Sequence, residues 1–328
     1  VSPVEVKSRA FAGVILPGGG STFVNPVMQR WSALYEKQTG VRIEYQAVGS
    51  GQGVQTLFDR GYRFGCSDAP LTDPQLRRAP GMVHIPLVIG AVVPTYNLPD
   101  VEQQLRFTGP ILADIYLGKI TKWNDRSIQV SNPGVQLPDM PILVVHRSDP
   151  SGTTFIWTDY LGKTSAEWKS KHPANIEVNW PVGIEGKGNN GVATMVSRNS
   201  GTIGYVELSY ALENNLRFGQ VKNREGHFIS PNLESVTASA TSLQEIPDDL
   251  RFSLTDAVGE SSYPIVGTAW AILDTDQSSS SAGRELVDFL RWVTHDGQKY
   301  VRDLGFAPLP AEIVKRIEAK LATIRVGE

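Results

Sequence analysis

Within one short stretch the chain places Arg147, Asp149, Ser151, Gly152 and Thr153. A guanidinium offers a planar fork of donors whose charge is fixed at any working pH. Serine and threonine add hydroxyl donors, and glycine lets a backbone come close to a bound group. Two other turns repeat the design. Gly18-Gly-Gly-Ser21-Thr22-Phe23 leads into a helical pattern over 25–38, and Gly49-Ser50-Gly51-Gln52-Gly53 leads into one over Val54–Phe58. In all three, a strand-like run ends in a glycine-rich turn with a hydroxyl residue, and a helix begins. The first turn of a helix carries free N–H groups and the positive end of the helix dipole, so it suits an anion. Any one such turn is also an ordinary helix cap. Three of them, with an arginine in one, point to a small oxyanion held in the crevice at the strand ends.

Other candidates are weaker. Asp68 lies in Cys66-Ser-Asp-Ala-Pro70. The helix that follows already has a capping box in Thr72…Gln75, which leaves Asp68 for other work. Cys66, the single cysteine, reads as a packed thiol and permits no internal disulfide. Gly186-Lys-Gly188-Asn-Asn-Gly191 fits GxGxxG, follows a strand-like stretch at 177–183 and precedes a helical stretch at Val192–Ser197. With Glu207 as the ribose-binding acid it would make a dinucleotide site, but a lone fingerprint is a weak signal and a plain glycine-rich turn is the simpler reading. There is no GxxxxGK[ST] loop and no GxSxG elbow, and none of the five histidines forms a close metal pair. No catalytic residue, metal or cofactor is expected. His146 points away from Arg147 by strand alternation and reads as structural.

The elements that must carry these turns alternate between strand and helix. Val41, Ile43, Tyr45 and Ala47 alternate with polar residues as in a half-buried strand. Val27, Met28, Trp31, Leu34 and Tyr35 mark a helix face between Pro26 and Gly40. Ile142–Val145 reads as a buried parallel strand. Leu286, Val287, Phe289, Leu290 and Val293 mark a late helix stopped near Gly297. This alternation predicts an α/β fold. Two apolar runs, Ile89–Asn97 and Ile265–Leu273, read as crossings between two domains: residues 1–90 with 266–328, and residues 91–265. A length of 328 residues, 41% hydrophobic and 20% charged, is that of an ordinary soluble globular protein. No apolar run reaches about 18 residues, as a membrane-spanning helix would require. A net charge of −3 without a basic run excludes a nucleic-acid surface.

The chain resembles the periplasmic phosphate-binding proteins of ABC-type phosphate importers, the PstS-type family. The likeness runs from about Gly18 to about Pro310. It is carried by GGGSTF (18–23), YQAVGSGQGV (45–54), FGCSDAPLT (64–72), DIYLGKITKWND (114–125), RSDPSGTTF (147–155), VGIEGKGNNGV (182–192) and GTIGYVE (201–207). It implies a two-lobed type II binding-protein fold, each lobe a sheet flanked by helices, with a two-strand hinge closing on one phosphate. Carried over by position, the ligands would be Thr22, Phe23, Ser50, Asp68, Arg147, Ser151, Gly152 and Thr153, with Asp149 orienting Arg147. The partners implied are inorganic phosphate and a membrane permease. The location implied is periplasmic or extracytoplasmic, with an export signal removed ahead of Val1 and a lipid anchor left open; the protein would be a monomer. A phosphate-ester hydrolase and a phosphate-sensing receptor of the same fold are the alternatives. The sequence departs from the family pattern at Gln52, Cys66 and Pro150, and in the dozen residues ahead of the first strand.

Overall fold

The computed structural model describes residues 13–279 and 282–327. The segment 1–12 and part of the serine run at 278–281 lie outside the described residues. Eight strands form the backbone of one mixed sheet: β1 (Ile15–Gly20), β2 (Arg42–Gln46), β3 (Phe64–Ser67), β4 (Met82–Tyr96), β5 (Leu143–Arg147), β6 (Ile184–Gly186), β7 (Thr202–Glu207) and β8 (Val266–Asp274). Their order across the sheet is β2-β1-β3-β8-β4-β7-β5-β6, and a two-residue strand at Arg217–Phe218 also pairs with β4. β1 runs parallel to β2 and β3, β5 runs parallel to β6 and β7, and β8 lies antiparallel between β3 and β4.

The long strand β4 joins the two halves. From Met82 to Ala91 it pairs with β8; from Val92 to Tyr96 it pairs with β7. Val92 also donates its N–H to the carbonyl of Ile265, so the two chain crossings are hydrogen-bonded neighbours. The molecule is a two-lobed binding-protein fold, as the alternating pattern and the resemblance led one to expect.

The helices relevant to the cleft are α1 (Asn25–Thr39), α2 (Ser50–Phe58), α3 (Asp73–Arg78), α4 (Gly152–Thr164), α5 (Gly188–Arg198), α6 (Leu208–Glu213) and α7 (Gly283–Thr294). α1 buries Val27, Met28, Trp31 and Tyr35, the face its spacing predicted. Trp31 fixes its polar edge by donating Nε1–H to the carbonyl of Gly297 at 2.9 Å. Gly40 ends α1 in a left-handed conformation with φ of 79°. Thr72 and Gln75 form the reciprocal capping box of α3. Three boundaries differ from the pattern. α2 begins at Ser50, not Val54, because its early glycines are themselves helical. The stretch 177–183 is irregular, and the strand before the fourth turn is only Ile184–Gly186. α5 starts at Gly188, four residues before the apolar pattern begins.

Candidate anion site

The three turns meet, and they meet at Asp68. The first follows β1. Gly20 has φ of +132°, and a Cβ on it would lie 2.2 Å from the carbonyl oxygen of Cys66, so only glycine fits. That tight turn places Ser21 beside the end of β3, where its hydroxyl donates to Asp68 Oδ1. Ser21 Oγ itself accepts the N–H of Phe23 at 3.0 Å and that of Val24 at 3.4 Å. The amide of Phe23, expected to face a ligand, is therefore engaged within its own turn, and its ring is buried edge-on against Phe306. Thr22 is buried, and its hydroxyl faces α5 across the cleft.

The second turn interlocks with the third. Gly49 donates to Gly20 O at 2.8 Å, and Gly51 donates to Pro150 O at 3.0 Å. A Cβ on Gly49 would fall 2.4 Å from Asp149 Oδ2, and one on Gly51 would fall 2.4 Å from Pro150 Cβ. Pro150 is thus the surface on which the second turn closes. Ser50, buried at the start of α2, accepts the N–H of Asp68 at 3.4 Å. The Gln52 side chain bonds to Thr56, one turn along the exposed face of α2.

In the third turn Ser151 caps α4 by accepting the N–H of Thr154 at 3.1 Å. Gly152 packs against Asp68 so closely that a Cβ would lie within 2.7 Å of three of its atoms. Thr153 donates its hydroxyl to Asp68 Oδ2 at 3.3 Å. Arg147, at the end of β5, has a side chain only 2% exposed. It grips Asp149 with Nε (2.8 Å to Oδ1) and Nη2 (2.5 Å to Oδ2). Its Nη1 is buried and makes no hydrogen bond among the described residues. Arg147 and Asp149 thus neutralise one another while one donor arm stays available.

Burial raises the carboxyl of Asp68 to about 7, against the opposing pull of the Ser21 hydrogen bond, the Arg147 charge and the Thr153 hydrogen bond. Asp149 behaves oppositely. Burial pushes it up, but the two bonds from Arg147, that charge and the Gly188 amide hold it below the ordinary carboxylate range. Burial lifts the Cys66 thiol far from ionisation, in keeping with a packed role. His146 is buried, stacks on Trp180 at 5.0 Å and is structural.

The fourth turn was missed as part of the site. The GKGNNG segment is not a free glycine loop. Gly188 donates to Asp149 Oδ1 at 2.9 Å, and Asn189, fully buried, reaches both Thr22 and Thr153. Glu207, the acid of the dinucleotide reading, is buried and caps α6 through the N–H of Ser209 at 3.0 Å. Burial also raises its carboxyl well above the ordinary range. Ser21 was passed over as well, although it stands next to Thr22 in the first turn. Sequence position alone does not say which of two adjacent hydroxyls turns to the acid.

Two α/β lobes closed over a cage of helix starts, with one arginine and one buried acid, define a class of solute-binding protein. A family profile described as the PBP superfamily domain matches residues 8–296. Among curated relatives, the phosphate-binding protein PstS of Xylella fastidiosa (strain Temecula1) is 43% identical over 312 residues, covering 94% of this chain and 85% of the relative. The protein of the same name from Pasteurella multocida is 40% identical, covering 94% and 90%. A solved periplasmic phosphate-binding protein, PfluDING, superimposes with a TM-score of 0.78 at 19% identity over 93% of each chain, a likeness of fold. The chain belongs to the PBP superfamily, within it to the PstS-type phosphate-binding proteins.

Proposed function

We propose that the protein binds inorganic phosphate in the interlobe cleft and delivers it to an ABC-type importer. The observation that carries this reading is the Nη1 of Arg147, buried and without a hydrogen-bond partner among the described residues, together with a buried carboxyl, Asp68, that accepts rather than donates. Arg147, the hydroxyls of Thr22, Ser50 and Ser151, and amides at the starts of α2 and α4, those of Gly152 and Thr153 included, supply the donors. The amide of Phe23 joins them by sharing its hydrogen with Ser21. Asp149 holds Arg147 in place. An ionised Asp68 can only accept a hydrogen bond. Phosphate near neutral pH carries a proton to give it; sulfate carries none and meets a like charge instead. Selectivity therefore rests on penalising the wrong anion as well as on holding the right one.

The lobes are taken as residues 1–90 with 266–328, and 91–265. The exchange of β4 partners between Ala91 and Val92, and the Val92–Ile265 bond, support that division. The protein acts as a monomer outside the cytoplasm, docking on a permease and turning over no substrate. Among the described residues no helix is long and apolar enough to cross a membrane.

The test is calorimetric titration of anion-stripped protein with phosphate and then sulfate at pH 8, above the Asp68 titration. Tight uptake of phosphate and none of sulfate is expected. Equal affinity for the two would overturn the role of Asp68, and turnover of a chromogenic phosphate ester would replace binding with hydrolysis.

A further inference from the structure

We infer that Asn189 is a positioning residue that fixes the direction of two hydroxyls in the anion cage. It makes Thr22 a donor toward the anion and Thr153 a donor toward Asp68. The inference rests on the anion site proposed above and extends it to a residue outside that ligand set.

The argument begins at a group that cannot reverse. The backbone N–H of Glu207 can only donate, and it lies 2.8 Å from Asn189 Oδ1. The amide oxygen must therefore face Glu207, which turns Nδ2 with its two hydrogens the other way. One is given to Thr22 Oγ1 at 2.8 Å and the other to Thr153 Oγ1 at 3.1 Å. Thr22 Oγ1 also accepts the backbone N–H of Asn189 at 3.2 Å. A hydroxyl has two lone pairs and one hydrogen. Both lone pairs of Thr22 are thereby taken, and no described residue accepts its hydrogen. It is free to donate to an anion and unable to accept from one. Thr153 accepts from Asn189 and donates to Asp68 Oδ2 at 3.3 Å, so one acceptor of Asp68 is spoken for. The backbone of β7, through one buried amide, thus sets donor and acceptor sense across the cleft. Asn189 sits on α5 and Thr22 follows β1 in the other half of the sheet, so the same bonds form only when the halves meet.

The test measures phosphate affinity by calorimetry for the parent protein, N189L, T22V, N189L/T22V and N189D, with near-ultraviolet circular dichroism to check folding. N189L keeps the size of the side chain but lets both hydroxyls rotate. Each single change is expected to weaken binding by about 10- to 100-fold, the worth of one hydrogen bond to a charged group. If Asn189 acts through the Thr22 hydroxyl, the double variant falls well short of the product of the single losses. In N189D an ionised carboxyl would draw both hydroxyls toward itself. Its loss relative to the parent should shrink as pH falls and the introduced group regains a hydrogen to give, while the loss in N189L stays flat. Parent-like affinity in N189L, multiplicative losses in the double variant, or a flat profile in N189D would each overturn the inference. Should N189L fail to fold, the N189D profile decides. A parent protein that takes up no phosphate would instead sink the proposed function and leave a different signature.

Discussion

Asp68 is the residue at which chemistry and stability pull apart. In an anion-free protein its raised carboxyl retains a proton to about pH 7, whereas the unfolded chain releases it near 3.8. The native state then binds more protons than the unfolded state between those values, so stability falls as pH rises through that window. The loss amounts to roughly a few kcal/mol, and D68N should abolish it; urea unfolding of anion-stripped protein from pH 4 to pH 8 would show the slope vanish. The same group gates the wrong anion. Sulfate should compete with phosphate increasingly below about pH 7, where Asp68 has a proton of its own to offer. In D68N, sulfate should bind at every pH, and competition titrations would read this directly. Replacing Arg147 with alanine should weaken phosphate binding by about 10- to 100-fold for each charge-assisted bond lost. Near-parent affinity would remove Arg147 from the site. At this scale much was legible in the sequence, because arginine, hydroxyl and glycine in one turn restrict the chemistry. Ser21 and Asn189 were not, because which hydroxyl or amide faces inward depends on partners far away in the chain.

The four turns are held by the elements behind them, and glycine decides how closely those elements approach. Gly53 in α2 is one such case. A Cβ there would lie 2.3 Å from Gly20 Cα and 2.7 Å from Gly19 O, atoms of β1 that cannot swing aside. Helix propensity alone would favour alanine by about 1 kcal/mol. Overpacking against backbone costs roughly 1–3 kcal/mol and should win. G53A should therefore lower the urea midpoint and also weaken phosphate binding, since α2 carries Ser50 with it when it shifts. G53A with parent stability and affinity would show that β1 and α2 have slack. Periodicity identified α1 and α7 because their buried faces are long and regular. It misplaced the starts of α2 and α5, whose first turns are glycine and polar residues with no apolar stripe to read. Those first turns are where the proposed site lies, so pattern reading is weakest at the end of each helix assigned to the anion.

Across the whole molecule, bonds between lobes such as Asp68–Thr153 and Gly51–Pro150 would tie phosphate uptake to closure under the proposed function. A ligand that binds only the closed, folded state stabilises it by RT ln(1 + [L]/Kd), about 2.7 kcal/mol at a hundredfold excess over Kd. Phosphate should raise the melting temperature by several degrees and reduce the radius of gyration in solution scattering. Sulfate at the same concentration and pH 8 should do neither. The two-lobed plan was visible as two apolar crossings, but the order of the sheet was not, because strand adjacency leaves no local mark. That order carries a consequence of its own. β3 and β4 follow one another in the chain, yet β8, made near the end, lies between them. As the polypeptide emerges during synthesis, the native partner of both strands has not yet been made. The first lobe cannot close its sheet until Val266–Asp274 arrives, and such long-range pairing is slow to form. The half of the sheet that holds the first strands made is therefore among the last parts of the molecule to be completed.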